Sequence, residues 1–220
     1  MRTESTSLIL CDGVVSGEFM LPEKIEYALT LAHGAGAGMN HTFMVSLAQS
    51  LAEKNIASLR FNFPYMENKK KRPDVPAIAH KTIDAAIKRA AETLSNVPLF
   101  VSGKSFGGRM SSQFLAMNAT GNVEGIIFFG FPLHPAKKPS VDRAEHLRNI
   151  SIPMLFLQGT RDELATWELI EDVCGKLQST TLVKIEGADH AFKAGKLNTI
   201  EMLANATKQW MDQVVTGKGM

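Results

Sequence analysis

The hexapeptide Gly103-Lys104-Ser105-Phe106-Gly107-Gly108 places a serine midway between two glycines. Such a Gly-x-Ser-x-Gly match arises by chance in roughly 8% of chains with 17 glycines in 220 residues, so its setting decides its meaning. The apolar run Leu99–Ser102 precedes it and reads as a strand. A helical pattern follows, with Met110, Phe114 and Met117 on one face. A serine at so sharp a strand-to-helix turn fits only between glycines, and the strain lifts its hydroxyl clear of the sheet. The first N–H groups of the helix then point to where an oxyanion would form. The triplet Gly103-Lys104-Ser105 also imitates the end of a phosphate-binding loop. That motif needs a glycine at position 98, where Pro98 stands.

A nucleophilic serine needs a base and an acid, here in the order Ser, acid, His. The run Met154–Gln158 leads into Gly159-Thr160-Arg161-Asp162-Glu163, and Thr181–Ile185 leads into Glu186-Gly187-Ala188-Asp189-His190. Parallel strands would bring Asp162 and His190 to the sheet edge that carries Ser105. His190 then removes the Ser105 proton, and Asp162 fixes the imidazole tautomer and stabilises its charged form. Glu163 is an adjacent rival for the acid, and Asp189 reads as a turn cap. The strand Gly125–Phe129 has no carboxylate close behind it, since Asp142 is the first.

A third element, His33-Gly34-Ala35-Gly36-Ala37-Gly38-Met39, follows the strand Tyr27–Ala32. Its small residues let the backbone approach a substrate. The expected oxyanion hole is the N–H of Ala35, within one residue, together with that of Phe106. A dinucleotide loop would need Gly or Ala where Met39 stands. Gly34 and Gly36 should line the substrate, and His33 should brace the loop. Arg60, with Asn62 and Tyr65, follows a strand toward the same edge. These residues and His134 are expected substrate contacts. His41, His80 and His146 show no metal-ligand spacing, so neither metal nor cofactor is expected.

These residues need a scaffold of parallel strands with crossover helices, and the chain alternates accordingly. Six strands are predicted at Tyr27–Ala32, Ala57–Phe61, Leu99–Ser102, Gly125–Phe129, Met154–Gln158 and Thr181–Ile185. Ser7–Cys11 and Gly17–Leu21 should add two antiparallel strands at one edge. Helical stripes run through Met44, Leu47, Ala48 and Leu51, with Asn40 as the expected N-cap. Others run from Ile83 to Leu94 and from Ile200 to Val214, with shorter helices at Thr166–Cys174 and Val141–Arg148. The fold class is α/β: one domain over 1–220 with about eight strands and helices on both faces. The proline-bounded segments 64–76 and 131–149 fall at the carboxyl edge, where they are expected to form a small lid.

The net charge of +2, with 21% charged and 45% hydrophobic residues, describes an ordinary globular protein rather than a nucleic-acid-coating one. Lys69-Lys70-Lys71-Arg72 reads as a solvated loop. Two cysteines make no disulfide framework, no apolar run suits a signal or a membrane span, and a cytoplasmic setting is expected. No nucleic-acid or membrane partner is expected.

The elbow, the acid, the histidine and the glycine-rich loop together resemble the α/β-hydrolase superfamily over nearly the whole chain. The compact length and the His33-Gly34-Ala35-Gly36 loop resemble its dienelactone-hydrolase-like group. Phe129-Gly130-Phe131-Pro132-Leu133-His134-Pro135 and Gln158-Gly159-Thr160-Arg161-Asp162-Glu163 are similar to a branch that includes the NSL-complex subunit three, part of a chromatin acetyltransferase complex. Dienelactone hydrolases carry cysteine where Ser105 stands, so a dienelactone substrate is not implied. The resemblance implies a metal-free, carboxylesterase-like serine hydrolase acting on a small ester or thioester through an acyl-enzyme. A short-peptide hydrolase is the second enzymatic reading. A non-enzymatic interaction module with a protein partner is the contrasting one, although such a module has no use for all four elements.

Overall fold

The computed structural model describes residues 1–119 and 121–217. Its strands are β1 (Arg2–Leu10), β2 (Gly13–Leu21), β3 (Tyr27–Ala32), β4 (Ile56–Phe61), β5 (Leu99–Lys104), β6 (Val123–Phe129), β7 (Met154–Gly159) and β8 (Thr180–Ile185). They form one sheet in the order β1-β2-β4-β3-β5-β6-β7-β8. β1 and β2 pair antiparallel, as do β2 and β4, and all other pairs are parallel. The helices are α1 (Thr42–Ala52), α2 (Pro64–Glu67), α3 (Pro76–Thr93), α4 (Phe106–Met117), α5 (Trp167–Lys176) and α6 (Thr199–Thr216). A 3₁₀ helix spans Asp142–Asn149.

Covering both faces of a parallel sheet explains why its inner strands read as unbroken apolar runs. Every residue of β3, β4 and β7 is buried. Successive side chains still alternate between faces. On β7, Leu155 and Leu157 join Leu203, Trp210 and Met211 of α6 and Met44 and Leu47 of α1. Met154 and Phe156 join Ile83 of α3, Met110 of α4 and Ile170 of α5 on the opposite face. Among the described residues no helix is long and apolar enough to cross a membrane.

Four local expectations need correction. β1 begins at Arg2 and β2 at Gly13, joined by the two-residue loop Cys11-Asp12. β1 is an edge strand whose first four residues are exposed, so no apolar period marks it. The α1 N-cap is His41, whose Nδ1 accepts from the Phe43 N–H at 3.3 Å, rather than Asn40. Met117, the last residue of α4, is 75% exposed and leaves the stripe. The 64–76 segment is not loop throughout: Pro64 opens the helical turn α2, and Pro76 starts α3, where a missing N–H costs nothing.

Candidate active site

Ser105 sits at the junction of β5 and α4 with φ 50° and ψ −114°, a backbone state that non-glycine residues rarely adopt. The chain turns so tightly there that a Cβ on Gly103 would stand 2.3 Å from the Gly108 nitrogen. A Cβ on Gly107 would stand 2.6 Å from the carbonyl oxygens of Ala32 and His33. Both positions are glycine because backbone occupies the space.

The loops after β7 and β8 bring two groups to that serine. His190 Nε2 lies 2.8 Å from Ser105 Oγ, and His190 Nδ1 lies 2.7 Å from Asp162 Oδ2. A carboxylate only accepts, so Nδ1 carries the proton and Nε2 is left to accept from the serine hydroxyl. The Asp162 carboxylate is buried and held from three sides. Its Oδ1 accepts from the Leu164 N–H at 2.8 Å, and its Oδ2 also accepts from Gln158 Nε2 at 2.6 Å. Gln158 is itself oriented by the Phe131 N–H, which donates to its Oε1 at 2.9 Å. Glu163 points to solvent, and Asp189 accepts from the Lys193 N–H within its own turn.

The His33–Met39 loop is braced from below. Buried His33 accepts from the Phe63 N–H at Nε2 (3.1 Å) and donates from Nδ1 to the Gly34 carbonyl (2.7 Å). Burial pushes its pKa down to about 4, so it stays neutral in that tautomer at physiological pH. The Asn62 side-chain oxygen accepts from the Met39 N–H at 3.0 Å. Neither the Ala35 nor the Phe106 N–H donates to a backbone carbonyl outside helices and strands among the described residues. Phe106 opens α4 and so has no intrahelical acceptor.

Asn62, tied to Met39, lines neither cleft, and three other expected substrate contacts also lie elsewhere. The Arg60 guanidinium is buried against the Glu18 carboxylate and the Met39 carbonyl. The Tyr65 hydroxyl, also buried, donates to the Gly34 and Ala35 carbonyls at 3.1 and 3.0 Å. His134 accepts from the Thr166 N–H at 3.0 Å and faces the Pro135 carbonyl at 2.9 Å, tying the 131–135 segment to the start of α5. All three are supports. Their polar ends turn inward to satisfy backbone groups that the loops leave unpaired. Gly34 and Gly36, by contrast, do line a cleft at Ser105.

Two clefts meet at Ser105, Ala35 and Leu164. One, of about 450 Å³, is mostly apolar, with Ala37, Phe43, Met44 and Ala191 beside His190. The other, of about 380 Å³, is walled by Pro73, Asp74 and Pro76 from one segment and by Pro132 and Arg143 from another, with Arg109 and Met110 of α4.

Lys104, next to the serine, is a supporting residue that the strand pattern conceals. Its Nζ donates to the His190 carbonyl at 2.6 Å, and it lies 5.2 Å from the centre of the Phe192 ring. Burial pushes its pKa down to about 8, against the opposing pull of Asp162 and Asp189. The unfolded chain therefore binds more protons at this position between about pH 8 and 10.5, and stability contributed here rises with pH across that window. Lys104→Met should raise stability at pH 7 by up to about 3 kcal/mol, less the lost hydrogen bond, and the gain should vanish near pH 10.5. The same change releases the His190 carbonyl and should lower kcat about tenfold. Denaturant titrations at pH 7 and 10, with kcat at pH 7, check both effects.

A family model for an alpha/beta hydrolase domain matches residues 26–216. Two proteins of Mycobacterium tuberculosis, from strains CDC 1551 and H37Rv, are each 24% identical over all of this chain. Both are named putative phosphoribosyl transferases, and the chain spans 48% of their length. Among solved structures, a dienelactone hydrolase from Anabaena variabilis superposes with a TM-score of 0.80 at 18% identity, covering 96% of this chain and 97% of that one. A serine hydrolase homologue from Coxiella burnetii gives 0.76 at 22% identity, covering 94% and 98%. Est1E from Butyrivibrio proteoclasticus gives 0.73 at 16%, covering 96% and 99%.

Proposed function

Since the chain belongs to the alpha/beta hydrolase domain family, we propose that it is a serine hydrolase cleaving a small ester or thioester through an acyl-enzyme on Ser105. The observation that carries the reading is the unbroken line from Ser105 Oγ through His190 to Asp162, at 2.8 and 2.7 Å. Ser105 Oγ attacks the carbonyl carbon while His190 Nε2 takes its proton, and Asp162 stabilises the imidazolium. The Ala35 and Phe106 N–H groups hold the oxyanion. His190 returns the proton to the departing alcohol or thiol, and water releases the acyl group by the same steps in reverse roles. The segments 64–76 and 131–149 act as a small lid over one side of the serine.

A fluorophosphonate probe should label the wild type and leave folded Ser105→Ala and His190→Ala unlabelled. Hydrolysis of 4-nitrophenyl butyrate should fall at least about 10⁴-fold in both variants. A well-folded wild type that neither labels nor turns over would refute the proposal. Cleavage of short peptides but not of esters would select the peptidase reading instead.

A further inference from the structure

Lys104, the cation of the apolar cleft, is committed to the His190 carbonyl, and His190 lines that cleft but not the other. In acyl transfer the leaving group must sit where the general acid can hand it a proton. If the reading above holds, the apolar cleft beside His190 receives the leaving group, and the cleft on the far side of Ser105 receives the acyl portion.

That second cleft presents two guanidinium groups. Arg109 lies one turn beyond Ser105 on α4, its N–H donating to the Ser105 carbonyl at 3.0 Å, and Arg143 faces it from the 3₁₀ helix. Arginine ion pairs among the described residues involve only Arg2, Arg60 and Arg89. Arg143 donates from Nη1 to the Pro132 carbonyl at 3.3 Å, and its other donors have no partner among the described residues. Partial burial and the neighbouring charge of Arg143 both depress the Arg109 pKa, as expected for like charges held together out of water. The cleft also contains Asp74, whose carboxylate accepts from the Tyr65 N–H at 3.0 Å. Two cations and one anion leave a net charge of +1, which matches a carboxylate better than a doubly charged phosphate. Behind Arg109, burial pushes the His146 pKa down to about 4, so that imidazole adds no charge near neutrality.

We propose that the substrates are half-esters or half-thioesters of short dicarboxylic acids, with the free carboxylate held by Arg109 and Arg143 and an apolar leaving group beside Phe43 and Met44. The Ser105 Oγ–acyl bond forms as the acyl–oxygen or acyl–sulfur bond breaks, and the serine proton leaves through His190 on the alcohol or thiol. Water then cleaves the acyl-enzyme, releasing the dicarboxylate and restoring the Ser105 hydroxyl.

The test compares the mono-4-nitrophenyl ester of adipic acid with its neutral methyl-capped counterpart. Wild type should favour the anionic ester at least about tenfold in kcat/KM, and the preference should shrink with added salt. Arg109→Gln and Arg143→Gln should each reduce the ratio severalfold, and the double variant should bring it near one. Arg143→Lys should keep part of it. Binding of the same pair to Ser105→Ala, by calorimetry, reads the anion subsite without turnover. Binding preference without hydrolysis in the wild type would sink the hydrolase reading and keep the subsite. Hydrolysis with no preference, or variants that lower both esters equally, would sink the subsite and keep the hydrolase. Tighter binding of the phosphonate analogue, or a preference for a carboxylate on the leaving group instead, would overturn the dicarboxylate assignment.

Discussion

Asp162→Asn is expected to lower kcat by three to four orders of magnitude while leaving KM within about threefold. The aspartate accepts at both oxygens: from Gln158 Nε2 and His190 Nδ1 at Oδ2, and from the Leu164 N–H at Oδ1. Asparagine has one accepting oxygen and one donating nitrogen, so one of these sites must set a donor against a donor. With the amide nitrogen toward His190, the imidazole is driven to the other tautomer, and Nε2 can no longer take the serine proton. With the nitrogen toward Leu164, the tautomer survives but the negative charge that stabilises the imidazolium is gone. Either arrangement leaves a buried donor unpaired, which costs about 1–3 kcal/mol of stability. Asp162 lines neither cleft, which is why binding should hardly change. Steady-state kinetics and thermal melts of the folded variant decide the matter. A large fall in Tm with kcat preserved would make Asp162 a structural residue only.

The residues that meet at Ser105 were legible because each follows a strand end, and strand ends are what apolar runs and turn residues announce. Leu99–Lys104, Met154–Gly159 and Thr180–Ile185 all run parallel and finish at one edge, so the loops behind them converge whatever the helices do. The supports were not legible. Gln158 and Arg60 occupy strand positions like any other, and only the sheet's neighbours decide that one reaches Asp162 and the other Glu18 and Met39. Tyr65 lies in a segment that is polar by composition, yet its ring is buried against Phe63 and Phe106. Such side chains look like ligand contacts in sequence, because a polar residue near an active edge signals the same way whether it faces substrate or backbone. Arg109 shows the converse: a charge in the first turns of α4 looks like an ordinary helix surface until the fold places it in a cleft with Ser105.

Gly107→Ala should lower stability by about 3 kcal/mol and kcat by a further factor of about 100 in the fraction that folds. The added methyl would meet backbone, the Ala32 and His33 carbonyls at 2.6 Å, and no flexible side chain can yield. Relief requires that the start of α4 and the end of β3 separate. Those two pieces carry the Phe106 and Ala35 N–H groups, so the same movement that relieves the clash spreads the proposed oxyanion hole. Misplacing such donors by a fraction of an ångström removes much of their effect on the transition state. The effect on kcat should therefore exceed what lost stability explains, measured at a temperature well below the variant's Tm. Gly36→Ala supplies the stability control from the same loop, since nothing lies within 4 Å of its Cβ and its Tm should stay within a degree or two of wild type. If Gly107→Ala melted early yet kept wild-type kcat when folded, the elbow and the glycine-rich loop would not act together on the oxyanion.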